Sequence, residues 1–179
     1  MKTLFTVISI PVLALGFVLP TNAPVEPTAS QPFHCQVPCG IYGDTLRIDM
    51  LLEDAATIEK GMNEIAGFQS ADAPNINQMV RWTVTKDEHA QKIQDQVSAY
   101  WLAQRIKLPA ADADSAARAK YAQQLELLHR MMVYAMKCKQ TTDVANVASL
   151  REAVSAFSGT YFSKVDLEHL REHQGGEQR

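Results

Sequence analysis

Apolar residues recur at helical spacing through most of this chain, and no stretch shows the alternation that is typical of a β-strand. The first stripe falls at i, i+4, i+7, i+11 and i+14 and consists of Leu51, Ala55, Ile58, Met62 and Ile65. A stripe on the 3.6-residue period predicts an amphipathic helix. Gly67 and the polar stretch that follows Phe68 are expected to close this helix.

Three later segments show the same pattern. One extends over about residues 76–107, is stopped by Pro109, and carries Val80, Val84, Ile93, Val97, Tyr100 and Trp101. The next begins in the cap-forming stretch 112–115 and carries Leu125, Leu128, Met132 and Ala135. The last follows Thr142-Asp143 and carries Val147, Leu150, Val154, Phe157 and Tyr161. Four helices with short connections predict an all-α fold, an up-and-down four-helix bundle.

The bulk composition fits a small folded domain without a strongly basic surface. The chain has 179 residues, of which 46% are hydrophobic and 21% charged, and its formal net charge is −3. Nucleic acids and anionic lipids favour basic surfaces, so neither is expected as the main partner. Three cysteines are too few for a disulfide scaffold.

The first 33 residues lie outside the helical pattern. Lys2 precedes an apolar run from Leu4 to Leu19, which is shorter than the roughly 20 residues of a spanning helix. Small residues around Ala23 then predict a secretory signal over residues 1–23, and the run also fits an uncleaved membrane anchor on the precursor. Residues 24–33 form a proline-rich spacer. We therefore expect an exported protein, periplasmic or extracellular.

The segment 34–44 separates this leader from the predicted bundle, which occupies residues 45–179 and ends in a charged tail. Pro38, Gly40 and Gly43 exclude a regular helix here and favour a tight hook. Cys35 and Cys39 lie in the hook, four residues apart. Chemistry alone favours a disulfide staple between them, which suits an exported protein, over a metal-binding hook.

Two other metal chemistries fit the hook less well. Structural zinc needs four protein ligands, and the remaining cysteine, Cys138, lies in the third predicted helix. Haem attachment needs the pattern C-x-x-C-H, which is missing.

Other metal-binding candidates lie outside the hook. Met131, Met132 and Met136 are read as core filler rather than a copper site. His169 and His173 are read as part of the solvated tail, and Cys138 as a lone thiol.

The run His34-Cys35-x-x-Pro38-Cys39-Gly40-x-Tyr42 resembles the nickel-binding hook of the nickel superoxide dismutases. The segments 81–86 and 97–101 resemble the second helix of that family, and the likeness extends from His34 to about Leu170. The resemblance implies a four-helix bundle behind an irregular N-terminal metal-binding hook. It also implies a homo-hexamer with one nickel ion per subunit.

The same resemblance implies a ligand set and a reaction. Nickel would be held by the α-amine of His34, the backbone nitrogen of Cys35, and the thiolates of Cys35 and Cys39, with the His34 imidazole as axial ligand. Such a square-planar set of nitrogen and sulfur suits Ni(II). Superoxide would be disproportionated to oxygen and hydrogen peroxide through a Ni(II)/Ni(III) cycle. Because the α-amine must be free, a processing peptidase has to cut between Phe33 and His34, and a nickel chaperone is a further candidate partner.

Residues around the hook acquire roles by the same resemblance. Tyr42 would order small anions or water at the mouth of the hook, and its alternative is a packing aromatic at the helix entry. The family orients the axial histidine with a carboxylate and an arginine. Asp49, with Glu53 as the alternative, is the candidate carboxylate, and His89 stands in the arginine's place. As plain sequence, Asp49, Arg81 and His89 are more often solvated helix residues than site residues.

Two other function classes stay open on the sequence. One is an exported thiol–disulfide or metal-delivery protein that uses Cys35 and Cys39 and does not need a free His34. The other is a structural helical bundle with a Cys35–Cys39 disulfide and no redox activity. Substitution of His34 distinguishes a dismutase from these two classes, because only the dismutase needs this histidine.

Overall fold

The computed structural model of the chain describes residues 42–164 and residue 167. The predicted signal sequence, spacer, hook up to residue 41 and most of the charged tail lie outside the described residues. Within them, the four helices are α1 (Asp44–Gln69), α2 (Ile76–Gln96), α3 (Ser115–Gln140) and α4 (Ala145–Tyr161). A π-helical segment, Val97–Arg105, continues α2.

Each α-helix packs against the next one in the chain, and α1 also packs against α4. The predicted all-α four-helix bundle is therefore confirmed. Of the described helices, none is both long and apolar enough to cross a bilayer.

The helix boundaries follow from local sequence chemistry. The Asn75 side chain accepts a hydrogen bond from the backbone N–H of Gln78 at 3.2 Å and caps α2. Asp114, inside the predicted cap stretch, does the same for α3 through the N–H of Ala117 at 2.7 Å. Helix α1 starts at Asp44, so the predicted hook overlaps the bundle by one residue. It also continues past Gly67 to Gln69, because one helical glycine costs only about 1 kcal/mol, and the backbone N–H of Ser70 still donates to the Ala66 carbonyl at 3.2 Å.

The apolar stripes of α1 and α4 meet in one core, as predicted. All five stripe residues of α1 are buried, and four of the five in α4 are buried while Tyr161 is partly so. The largest fully buried side chain is that of Trp101, which packs against the ring of Phe157 at a centroid distance of 5.0 Å. Burial of these large side chains is the main favourable term for such a bundle.

Two parts of the predicted core are wrong. Val80 and Val84 of α2 are 56% and 49% exposed. Helix α3 ends beside Lys86, whose buried ammonium donates to the carbonyls of Cys138 and Lys139 at 2.6 and 2.8 Å, so the first turns of α2 extend beyond α3.

On α3, the fully buried methionine is Met131, whereas the predicted Met132 and Leu125 are only partly buried. This helix packs between α2 and α4, so its buried sector is wide, and an apolar stripe alone does not define its centre.

Candidate active site

Tyr42, the residue with which the described chain begins, is fixed where the hook joins the bundle. Its ring lies edge-on to Tyr100, with centroids 5.9 Å apart. The guanidinium carbon of Arg105 lies 4.1 Å from the centroid of the Tyr42 ring, a cation–π contact. Both partners belong to the π-helical segment, so this segment holds the chain three residues after Cys39. The side of Tyr42 away from these contacts is open, since 37% of the residue is exposed.

Asp44, two residues after Tyr42, accepts hydrogen bonds from three side chains. Its carboxylate accepts from the hydroxyls of Tyr100 at 2.5 Å and Tyr161 at 2.8 Å. Arg105 donates through Nε at 2.9 Å and through Nη2 at 2.6 Å. These bonds join the first residue of α1 to the π-helical segment and to the last residue of α4. From the sequence, Asp44 is expected only to lie inside the hook. Its hydrogen-bond donors are 56, 61 and 117 residues away, so no local pattern predicts that they contact it.

The electrostatics of this cluster favour an ionised carboxylate. Burial acts to raise the pKa of Asp44, but the hydrogen bonds from Arg105, Tyr100 and Tyr161 outweigh it and hold this pKa below its ordinary value. Burial and the bond to Asp44 raise the pKa of Tyr161 to about 12 and also raise that of Tyr100. Both phenols therefore remain protonated donors at neutral pH.

An open cleft of about 510 Å³ lies beside this cluster and shares the wall residue Tyr100. Helix α1 contributes Arg47, Glu53 and Asp54, and α2 contributes His89 and Lys92. The predicted His89 and the alternative carboxylate Glu53 thus line one cleft. Asp49 is not among the residues that line it.

The carboxylate that contacts His89 is Asp54, which the sequence analysis did not select. Nδ1 of His89 and Oδ1 of Asp54 are 2.6 Å apart. On the other side of the ring, the ammonium of Lys92, which can only donate, lies 3.4 Å from Nε2. Because a carboxylate oxygen accepts, Nδ1–H of His89 donates to Asp54.

Asp54 had a readable signal in the sequence. It falls three residues after Leu51 and four before Ile58, within the buried stripe of α1, and it is 9% exposed. Burial raises the pKa of Asp54 above its ordinary value despite the hydrogen bond from His89. A carboxylate in an apolar stripe usually has a specific partner, and here that partner comes from α2.

The sequence model of the nickel-containing superoxide dismutases matches residues 28–164, more than half of the chain. This chain belongs to the nickel-containing superoxide dismutase family. The protein is accordingly an oxidoreductase that uses nickel and acts on superoxide. Comparison with curated proteins and with solved structures gave no significant match.

Between residues 42 and 164 no three His, Cys, Asp or Glu side chains are grouped as a metal site. The predicted ligands His34, Cys35 and Cys39 lie outside the described residues. The third cysteine, Cys138, is fully buried, and burial raises its thiol pKa to about 11, so it is an inert core residue.

Proposed function

We propose that this nickel superoxide dismutase acts through the hook that begins at His34. The observation that carries the proposal is the anchoring of Tyr42 on Arg105 and Tyr100, which fixes the chain three residues beyond Cys39 and beside the cleft. The donor set fits nickel, because an amine, an amidate and two thiolates form a square-planar set of nitrogen and sulfur. Bound nickel supplies the one-electron chemistry that converts superoxide to oxygen and hydrogen peroxide.

The remaining roles fall to this chain's own residues. The His34 imidazole would be a further nitrogen donor to the metal, and Tyr42 would order water or a small anion at the mouth of the hook. Two observations support this role: Arg105 covers the ring of Tyr42, and 37% of the residue is exposed. A phenol in that state can donate to an approaching anion.

His89 positions the imidazole of His34 in place of the arginine that the family uses. The eight residues 34–41 can span at most about 29 Å, enough to lay the hook along the cleft that Tyr100 borders. The sequence pointed to Asp49 as the partner carboxylate. The 2.6 Å contact between His89 and Asp54 instead supports Asp54.

Maturation requires two cuts of the exported precursor. A signal peptidase removes residues 1–23, and a second peptidase cuts between Phe33 and His34, because the proposed donor is a free α-amine, which His34 has only after that peptide bond is cut. A nickel chaperone loads the hook after the second cut. An uncleaved leader, acting as a membrane anchor, is the alternative for the precursor.

The assembled enzyme is a homo-hexamer, as family membership suggests. One described surface supports self-association: Ile76, Val80 and Val84 form an exposed apolar stripe on α2. Exposed apolar patches of this kind mark interaction surfaces. Light scattering of the nickel-loaded protein measures the subunit number, and a monomer would contradict the assembly without touching the proposed chemistry.

The decisive experiment compares protein that begins at His34 with protein that retains Phe33. About one nickel per chain and dismutase activity in the first alone are expected, because only that form has a free α-amine. His34→Ala on the shorter form should abolish activity and is the matched control. A Cys35–Cys39 disulfide with neither nickel nor activity in either form would reject the proposal.

A further inference from the structure

A second cleft opens beside a close contact between α1 and α2. Gly61 of α1 is buried, and a Cβ atom built on it would lie 3.3 Å from Cβ of Lys86 and 3.4 Å from the carbonyl oxygen of Trp82. The same atom would lie 3.7 Å from Cε3 of the Trp82 indole. The missing side chain therefore lets the backbone of α2 close on α1 and sets the indole against the surface of α1.

The cleft beside this contact has a volume of about 390 Å³ and is lined by Thr57, Lys60, Gln78, Arg81, Trp82 and Thr85. None of these residues lines the cleft that holds His89. Lys60 lies six residues after Asp54 on α1, a distance of about 9 Å along the helix axis. The two clefts are therefore neighbours along α1 and α2 that have no lining residue in common.

The side chains that line this second cleft carry a net positive charge. Its lining contains two cations, Lys60 and Arg81, and no carboxylate. Among the described residues, neither cation forms an ion pair, although the net charge of the whole chain is −3. The ammonium of Lys60 lies instead 5.5 Å from the centroid of the Trp82 ring. Paired cations beside an aromatic ring suit a ligand that is both anionic and flat.

We propose that this cleft binds a small aromatic anion, a planar ring that carries a phosphate or a similar group. The ring stacks on Trp82, and the anionic group lies between Lys60 and Arg81. Thr85 and Gln78 add hydrogen-bonding groups at the edge. The volume lies in the range of small-molecule sites. This site is independent of the nickel chemistry and does not require the hook.

Tryptophan fluorescence tests the proposal on the full chain, with adenosine monophosphate as the probe. The chain has two tryptophans, and Trp101 is fully buried, so a bound ring should quench the emission of Trp82. We expect saturable quenching that is lost in Trp82→Phe. Lys60→Gln and Arg81→Gln should each raise the dissociation constant about tenfold, the usual size of one charge-assisted contact. Lys107→Gln, at an exposed lysine outside the cleft, is the matched control and should leave it unchanged.

Three results would overturn the site. They are no saturable quenching at millimolar probe, quenching that persists in Trp82→Phe, or equal weakening by Arg81→Gln and Lys107→Gln. Adenosine and inorganic phosphate alone should each bind at least tenfold more weakly than the probe. Equal binding of either one would reject the combined ring-and-anion ligand. Circular dichroism of each variant checks that the bundle is intact.

Discussion

Tyr161, the last residue of α4, donates a hydrogen bond of 2.8 Å to Asp44, the first residue of α1, across 117 positions of sequence. Arg105 and Tyr100 donate to the same carboxylate from the π-helical segment. One ionised side chain therefore ties three elements together at the end of the bundle from which the hook departs.

Asp44→Asn should lower the free energy of unfolding by about 2 kcal/mol. The substitution removes the charge that Arg105 and two phenols share, and hydrogen bonds to charged groups each contribute about 1.5–3 kcal/mol. Urea unfolding followed by circular dichroism measures this loss. Asp72→Asn, in the exposed α1–α2 connection, is the control and should change stability by less than about 0.5 kcal/mol. Equal effects of the two substitutions would contradict the role of Asp44.

The stabilisation from Asp44 should disappear in acid. Because the pKa of Asp44 is lowered in the folded state, its contribution is present above the unfolded value of about 3.8 and is lost as the pH falls through the lower folded pKa. The difference in unfolding free energy between the wild type and Asp44→Asn should therefore be constant near neutrality and shrink below pH 3.8. Urea titrations across this range measure it, and a constant difference would contradict the assigned pKa shift.

The contribution of Asp54 to stability should depend on pH in the opposite direction from that of Asp44. Its pKa is raised in the folded state, so its contribution to stability is fully present below the unfolded pKa and is lost as the pH rises through the folded pKa. Asp54→Asn should therefore flatten the loss of stability between acid and neutral pH. A steeper loss in this variant, measured in the same titrations, would show that the bond to His89 outweighs burial.

Two glycines of α1 should respond in opposite ways to a side chain. Gly61→Leu should destabilise the protein by about 1–3 kcal/mol, because the new atoms meet Lys86 and the backbone of Trp82 at a close helix contact. Gly67→Ala should stabilise it by up to about 1 kcal/mol, since open space surrounds that exposed helical position. Thermal unfolding of both variants tests the pair, and a stabilised Gly61→Leu would contradict the close approach of the helices.

The two candidate carboxylates can be separated by activity. If Asp54 holds His89 in the cleft, Asp54→Asn should lower kcat of the nickel-loaded enzyme about 10- to 100-fold, the usual cost of losing such a support. Asp49→Asn should cost clearly less. The nickel content and the pH profile of kcat are measured beside the rate, because a purely structural loss would leave the profile unchanged. A larger loss in Asp49→Asn would restore the prediction made from the sequence.

The fold could be predicted because helical periodicity is a local property. The stripes of α1 and α4 are continuous, and each occupies one narrow face. The prediction fails for residues whose burial depends on the length of the neighbouring helix. Val80 and Val84 fit the apolar pattern of a core, but they are exposed because α3 ends beside Lys86. Propensity and pattern carry no information about where the partner helix stops.

The candidate site was predictable only in part, for a related reason. The hook is predicted from one contiguous motif and lies outside the described residues, whereas the groups that line the cleft come from two helices. Asp54 and His89 are 35 positions apart and meet only because α1 and α2 pack at a particular register. The motif comparison that favours Asp49 uses position along the chain, and the role of Asp49 stays a prediction.

The π-helical segment has a consequence for this geometry. It behaves as one extra residue within a continuous helix, and in an α-helix each residue turns the chain by about 100°. Every side chain beyond it is thus displaced by that angle from the face an uninterrupted α2 would have given it. Arg105, the last residue of the segment, donates to Asp44 at 2.6 Å from the face on which this segment places it. Deleting a single residue between 97 and 104 would turn the guanidinium away from the carboxylate and from Tyr42 and leave the upstream pairing of α1 with α2 intact. The position at which Tyr42 is held therefore depends on the angular position of Arg105 around this helix.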